Sequence, residues 1–309
     1  MIRTTSQELT RRSFVSSLAG TAVLLNGQGI GQAAETSSKE TLVAFGAHPA
    51  DVMGSCGATL LKHALRGDKA VAVPLTLGVG HLWKPKEGSF GRLKDESTAQ
   101  LKTLEQANRF YTDVVQKAYA ALSPVELHLL GLADSPLELS TKNIKAVVEV
   151  IRRFQPTMVL THHPTMSLLA GHPDHRDAGE LVLRAIMLAM EETFHTSPYP
   201  TAVVSRIICY GGSGDRWQSL GQADAPNVFV DVSDTATAKD KASLIHGPLF
   251  GVTADSLKQR WSRSSQPGHP HLEAFVQLRP VVVDYLRSSP GRPWLGANLL
   301  EGKAERSKA

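Results

Sequence analysis

Thr41-Leu-Val-Ala-Phe-Gly46 runs straight into Ala47-His48-Pro49-Ala50-Asp51. The first six residues are apolar and short, and a glycine stops them, which is the signature of a buried strand. Residues 55–66 then carry Leu60, Leu61, Ala64 and Leu65 on one helical face, and Gly67-Asp68 ends that helix. A strand followed by a helix suggests a crossover unit, and the rest of the chain repeats the pattern. Strands are predicted at 70–77, 126–130 and 158–161, with helices at 95–110, 141–154 and 179–192. Alternation at this spacing implies a parallel sheet in an α/β fold. The polar segment 78–91 reads as a loop long enough to be functional. Beyond residue 200 the pattern loosens. Strands are expected at 206–210 and 228–231, helices at 236–246 and 272–286, and surface loops at 265–271 and 289–293.

An open parallel sheet gathers its ligands beyond the carboxyl ends of its strands. His48 and Asp51 follow the first strand, and Gly171-His172-Pro173-Asp174-His175 follows the strand at 158–161. Proline beside His48 and His172 stiffens each turn, so a short loop can fix a side chain's direction. Two histidines and an aspartate, His48, Asp51 and His175, make a three-ligand set that leaves one position open for water. This is the catalytic type of divalent-metal site, and zinc is the expected ion. Such an ion lowers the pKa of a water toward ~7 and polarises a carbonyl under attack. His172 is then placed to stabilise an oxyanion or protonate a leaving amine. Asp174 is placed to hold an imidazole in its working tautomer.

These two segments resemble the PIG-L (LmbE-like) family of zinc-dependent N-acetylglucosamine deacetylases, whose signatures look like A-H-P-D-D and H-P-D-H. Gly54-Ser-Cys-Gly-Ala-Thr59, Arg92-Leu-Lys-Asp-Glu96, Leu130-Gly-Leu-Ala-Asp134 and Lys241-Ala-Ser-Leu-Ile-His246 extend the likeness over residues 41–250. The resemblance implies a Rossmann-like, mostly parallel sheet flanked by helices, with an elaborated C-terminal part. It implies His48, Asp51 and His175 as zinc ligands, and hydrolysis of an acetamide on a sugar or glycan. One position departs. The family's first aspartate, a general base, is Ala50 here, and a positioned base is worth ~10²–10⁴-fold in rate. Two readings follow: a hydrolase that recruits another base, Asp174 being the nearest by motif, and a metal-binding relative that holds the glycan without turnover.

Residues 1–34 read as a twin-arginine export signal. Arg11-Arg12 precedes an apolar stretch at 15–30 that is too interrupted to span a membrane, and small residues follow. A periplasmic or extracellular protein is therefore expected, with one domain over 35–300 and a disordered tail at 301–309. Nothing else in the chain reads as a membrane span.

The formal charge is +4. Arg3, Arg11 and Arg12 against Glu8 account for half of it, and no basic run interleaves with aromatics. That argues against nucleic acid as the partner. Cys56 and Cys209 are expected as buried thiols. Neither a GxSxG elbow nor a catalytic cysteine setting is present. Of the other histidines, His81, His162 and His163 could line a pocket. His246 is expected to be packed, and Gly268-His269-Pro270-His271 to be a surface turn. Gly211-Gly-Ser-Gly214 reads as a turn, and oligomeric state is left open.

Overall fold

A computed structural model of the chain describes residues 39–164, 172–194, 198–211 and 226–278. The expected signal, the tail and most of the glycine-rich turn at 211–214 lie outside these residues.

Seven strands form the main sheet. In chain order they are β1 (Thr41–Gly46), β2 (Lys69–Pro74), β5 (Glu126–Leu127), β6 (Met158–His162), β7 (Arg206–Tyr210), β8 (Val228–Asp231) and β9 (Leu272–Gln277). Their spatial order is β5-β2-β1-β6-β7-β9-β8. The pairs from β5 to β7 are parallel, and β9 joins β7 and β8 antiparallel. The mostly parallel α/β sheet read from the alternation is therefore present.

Helices cover both faces. On one side are α1 (Pro49–Leu65), α4 (Leu104–Ala120) and α7 (Ala236–Phe250); on the other are α5 (Thr141–Phe154) and α6 (Pro173–Ala189). Strand β1 shows why. Leu42 and Ala44 enter the first core, while Val43 and Phe45 enter the second, and all four are fully buried. A strand buried on both faces has no polar alternation, which is what the uninterrupted apolar run encodes.

The loop at 78–91 folds locally. It contains the short helix α2 (Val79–Leu82) and a two-stranded ribbon of β3 (Trp83–Lys84) and β4 (Ser89–Phe90). The helix expected at 95–110 is interrupted, with α3 (Glu96–Ala99) ending before Thr103 caps α4. A further helix not foreseen in the sequence, α8 (Ala254–Ser264), starts at a Thr253–Ser256 capping box.

The helix expected at 272–286 is corrected: residues 272–277 are strand β9. Leu272, Phe275 and Val276 have helical spacing, but the segment supplies backbone hydrogen bonds between β7 and β8. Its Glu273 is buried because Lys239 of α7 meets it at 2.6 Å and the backbone N–H groups of Ala58 and Thr59 donate to it.

Candidate active site

Strand β1 ends at the place where the sheet order turns, with β2 on one side and β6 on the other. Helix α1 begins immediately afterwards, earlier than the sequence suggested, so Asp51 lies in its first turn. The Asp51 carboxylate accepts from the His48 backbone N–H at 2.8 Å, a reciprocal cap that fixes both side chains. Pro49 occupies the first helical turn, where its missing N–H costs nothing. Helix α6 repeats the arrangement, with His172 at its N-cap and Pro173 next.

These two helix starts converge. His48, Asp51 and His175 each offer a ligand atom, and the three atoms lie within 4.8 Å of one another. His175 Nε2 stands 3.2 Å from Asp51 Oδ1, and His48 Nδ1 stands 3.2 Å from Asp51 Oδ2. His162, at the end of β6, is fully buried with Nε2 3.3 Å from Asp51 Oδ2, so it backs the carboxylate.

The donor set fits a divalent cation. Two imidazoles and one carboxylate converge, and His48 Nε2 is buried without a hydrogen-bond partner. The set His48, His172 and Asp174 also lies within 4.8 Å. It fits less well, because both Asp174 oxygens are engaged: Oδ2 accepts from the Ser135 N–H and Oδ1 from the Leu137 N–H, each at 3.0 Å.

Electrostatics follow from this crowding. Burial disfavours charge on His48, yet the carboxylates of Asp174 and Asp51 outweigh it and raise its pKa to about 9. Burial likewise works against a charged Asp51, and His175 and His162 overcome it, holding the carboxyl well below its usual range. Burial lowers His162 to about 4, so it is neutral near pH 7. His172 is also lowered, by burial and by the neighbouring histidines.

Asp174, expected to hold an imidazole in its working tautomer, stands beside two of them. Its backbone N–H donates to His172 Nδ1 at 3.3 Å, and its Oδ2 lies 3.7 Å from the same nitrogen. An Nδ1 that accepts leaves the proton on Nε2, so neutral His172 is a donor from that nitrogen. The Asp174 carboxylate is also tied to the backbone at 135–137 and lies 3.6 Å from His48 Nε2.

A cavity of about 260 Å³ opens over the cluster. His48, Asp51, His172 and His175 line it, as do Ala50, His81, Tyr111, His246 and Arg260. Tyr111 and His246 are buried, stacked at 5.5 Å between ring centroids, with the Tyr111 hydroxyl and both His246 ring nitrogens unpartnered. His246 is packed, as the sequence suggested, and it also forms part of the wall. Tyr111 and Arg260 carried no local sequence signal; only the packing of α4 and α8 puts them there. Cys56 and Cys209 are free buried thiols. His269 hydrogen-bonds Asp231 at 2.6 Å in a turn away from the cavity.

Residues 43–186, which hold His48, Asp51, His172, Asp174 and His175, match the PIG-L family, described as GlcNAc-PI de-N-acetylase. The chain is 28% identical over 239 residues to diacetylchitobiose deacetylase of Thermococcus kodakarensis, covering 74% of this chain and 79% of that protein. It is 24% identical over 297 residues to 1D-myo-inositol 2-acetamido-2-deoxy-alpha-D-glucopyranoside deacetylase of Rhodococcus opacus, covering 83% and 97%. Among solved structures, N,N'-diacetylchitobiose deacetylase of Pyrococcus horikoshii superposes with a TM-score of 0.58 at 20% identity, covering 77% of this chain and 84% of that one. GalB, the 4-carboxy-2-hydroxymuconate hydratase of Pseudomonas putida, superposes at 0.61 with 19% identity, covering 81% and 100%. One architecture thus carries both a deacetylase and a hydratase, so the fold alone does not choose the reaction.

Proposed function

We propose that this chain, whose residues 43–186 match the PIG-L family, is a metal-dependent hydrolase removing the acetyl group from an N-acetylated amino sugar. The observation that carries the reading is the convergence of His48, Asp51 and His175 at the floor of a cavity shared with His172. His48, Asp51 and His175 would hold the ion, with zinc the best match to two imidazoles and one carboxylate. Bound there, the ion supplies Lewis acidity, acidifying a water and polarising the amide carbonyl.

The residues of the chain do the rest. Asp51 is aimed by its hydrogen bond from the His48 N–H and by His162 behind it. His172 carries its proton on Nε2 and is 29% exposed in its side chain, so it can donate to the oxygen on which charge develops. A cavity of about 260 Å³ is small beside the roughly 300–1,000 Å³ of drug-sized sites. It suits one acetamido sugar, with the remainder of a glycan projecting outward.

The test is a substrate panel. Metal-loaded protein is expected to release acetate and free amine in equal amounts from N-acetylglucosamine or its oligomers, and not from O-acetyl esters of sugars lacking the amide. Release of neither product from any N-acetylated sugar sinks the reading.

Residues 1–34 we assign as an export signal ahead of a single domain at 35–300. Support comes from the Arg11-Arg12 pair and the weakly apolar stretch after it. Among the described residues no helix is long and apolar enough to cross a membrane. Replacing both arginines by lysine is expected to strand the uncleaved protein in the cytoplasm; unchanged export would overturn the assignment.

A further inference from the structure

We propose that His81, positioned by Asp134, is the proton acceptor that stands in for the carboxylate missing at position 50. The inference rests on the deacetylase reading above and asks where the proton of the attacking water goes.

Ala50 lines the cavity and can accept nothing. Among the described residues lining that cavity, Asp51 is the only carboxylate. Its oxygens already face His175, His162 and the His48 N–H. Asp174 is behind the wall, with both oxygens accepting backbone N–H groups. No acidic side chain in view is therefore available to do what a carboxylate at position 50 would do.

His81 is differently placed. It lines the cavity with its side chain 30% exposed. Its ring centroid lies 4.8 Å from that of His48 and 4.7 Å from that of His172, so it flanks both a residue assigned to the ion and the oxyanion donor. Its Nδ1 is buried without a hydrogen bond and faces Asp134 Oδ2 at 3.8 Å. The same Asp134 oxygen accepts from the Gly80 N–H at 2.9 Å, which fixes the backbone next to His81. A proton held on Nδ1 toward Asp134 leaves Nε2 as the acceptor. This is the orientation by a third group that a working imidazole base needs, and such contacts shorten when substrate binds.

The backbone is built to allow the approach. Gly78 has φ 71, and a Cβ there would sit 2.7 Å from His48 Cδ2 and 3.0 Å from His81 Cε1. Thr76 fastens this loop to the end of β1, its hydroxyl donating to the Ala47 carbonyl and accepting from the Gly78 N–H.

The step balances as follows. Water oxygen bonds to the amide carbon, the carbonyl π pair moves to oxygen, and the proton from water passes to His81 Nε2. The C–N bond then breaks, nitrogen takes that proton, and a carboxylic acid and a free amine leave with His81 neutral again. If His81 only gripped a sugar hydroxyl, its loss would raise KM rather than lower kcat.

The experiment compares wild type, His81→Ala, Asp134→Asn, Ala50→Asp and the His81→Ala/Ala50→Asp double variant on N-acetylglucosamine oligomers, with metal content and metal affinity measured for each. His81→Ala is expected to lose ~10²–10⁴-fold in kcat with KM within about threefold and metal binding unchanged. Asp134→Asn should fall less, and also in kcat. The double variant should regain at least ~10-fold over His81→Ala, because a carboxylate at 50 restores an acceptor. Retained kcat in His81→Ala, a loss confined to KM, a loss of metal, or no recovery in the double variant would each overturn the proposal. If wild type releases no acetate while Ala50→Asp does, the deacetylase reading fails and this inference with it; an active wild type separates the two failures.

Discussion

His175 Nε2 stands 3.2 Å from Asp51 Oδ1, which joins the first turn of α6 to the first turn of α1. The contact brings together two helix starts that follow different strands, and it makes one carboxylate both a helix cap and a candidate ligand. The two roles are separable. In Asp51→Asn the amide oxygen can still accept from the His48 N–H, so the cap survives while the charge is lost. The variant also gives up a charge that His175 and His162 stabilise, so it is expected to unfold ~1–3 kcal/mol more easily than wild type in metal-free buffer. Its metal affinity should fall by more than ~100-fold, beyond what loss of a mere supporting contact costs. Metal-free urea unfolding and a metal titration check the two halves, and unchanged affinity would contradict the assignment.

Asp174 is a structural clamp in this account. It holds the N–H groups of Ser135 and Leu137 at 3.0 Å from a side chain that is 1% exposed. Asn at this position keeps one acceptor and turns an N–H₂ toward a donor, so Asp174→Asn should cost ~1–3 kcal/mol. The sign with pH is fixed by the depressed carboxyl. Burial alone would raise its pKa, but His48 and the two N–H groups lower it below the usual value of 3.8. The stabilisation is therefore fully present above that value and is lost only as pH falls further, toward the folded-state pKa. Urea unfolding between pH 5 and 6 should show a constant difference between wild type and variant, and the difference should narrow as pH rises from 6.5 toward 9, because Asp174 also raises His48. A difference that fades between pH 6 and 5 would contradict the clamp.

Lys239 and Glu273 form a buried pair at 2.6 Å, with side chains 3% and 2% exposed. The glutamate also accepts from the N–H groups of Ala58 and Thr59, so it ties β9 to the middle of α1. Lys239→Met leaves an uncompensated buried carboxylate and is expected to destabilise the protein by ~3–5 kcal/mol. Pairing it with Glu273→Leu should recover part of that loss. Denaturant midpoints measure both, and a single variant within about 1 kcal/mol of wild type would show that the pair does not matter.

The two halves of the chain differed in how much they disclosed. Strand β1 and both histidine turns were legible because local chemistry specifies them: an apolar run stopped by Gly46, and proline beside each histidine. The parallel sheet followed from alternation, but the order of its strands did not. Strand β9 was misread because Leu272, Phe275 and Val276 fit a helical face, and nothing local reveals that Lys239 will neutralise Glu273 between them. Helix α8 buries only Leu257 and Trp261, too thin a stripe to stand out. At the site, the His48–Asp51 relation was visible as a spacing of three. The approach of His81 to Asp134, and of Tyr111 to His246, depends on loops and helices distant in sequence meeting over one cavity. No pattern of period two or 3.6 carries that information.

Whether ion and turnover belong to the same His48–Asp51–His175 centre is decided by titrating metal into chelator-stripped protein while following acetate release from N-acetylglucosamine oligomers. The stripped protein is expected to release nothing, the rate to rise with added zinc, and a plateau to come at one ion per chain, which His175→Ala abolishes. Release that persists without metal, or stoichiometric binding that never yields acetate, would contradict a shared centre.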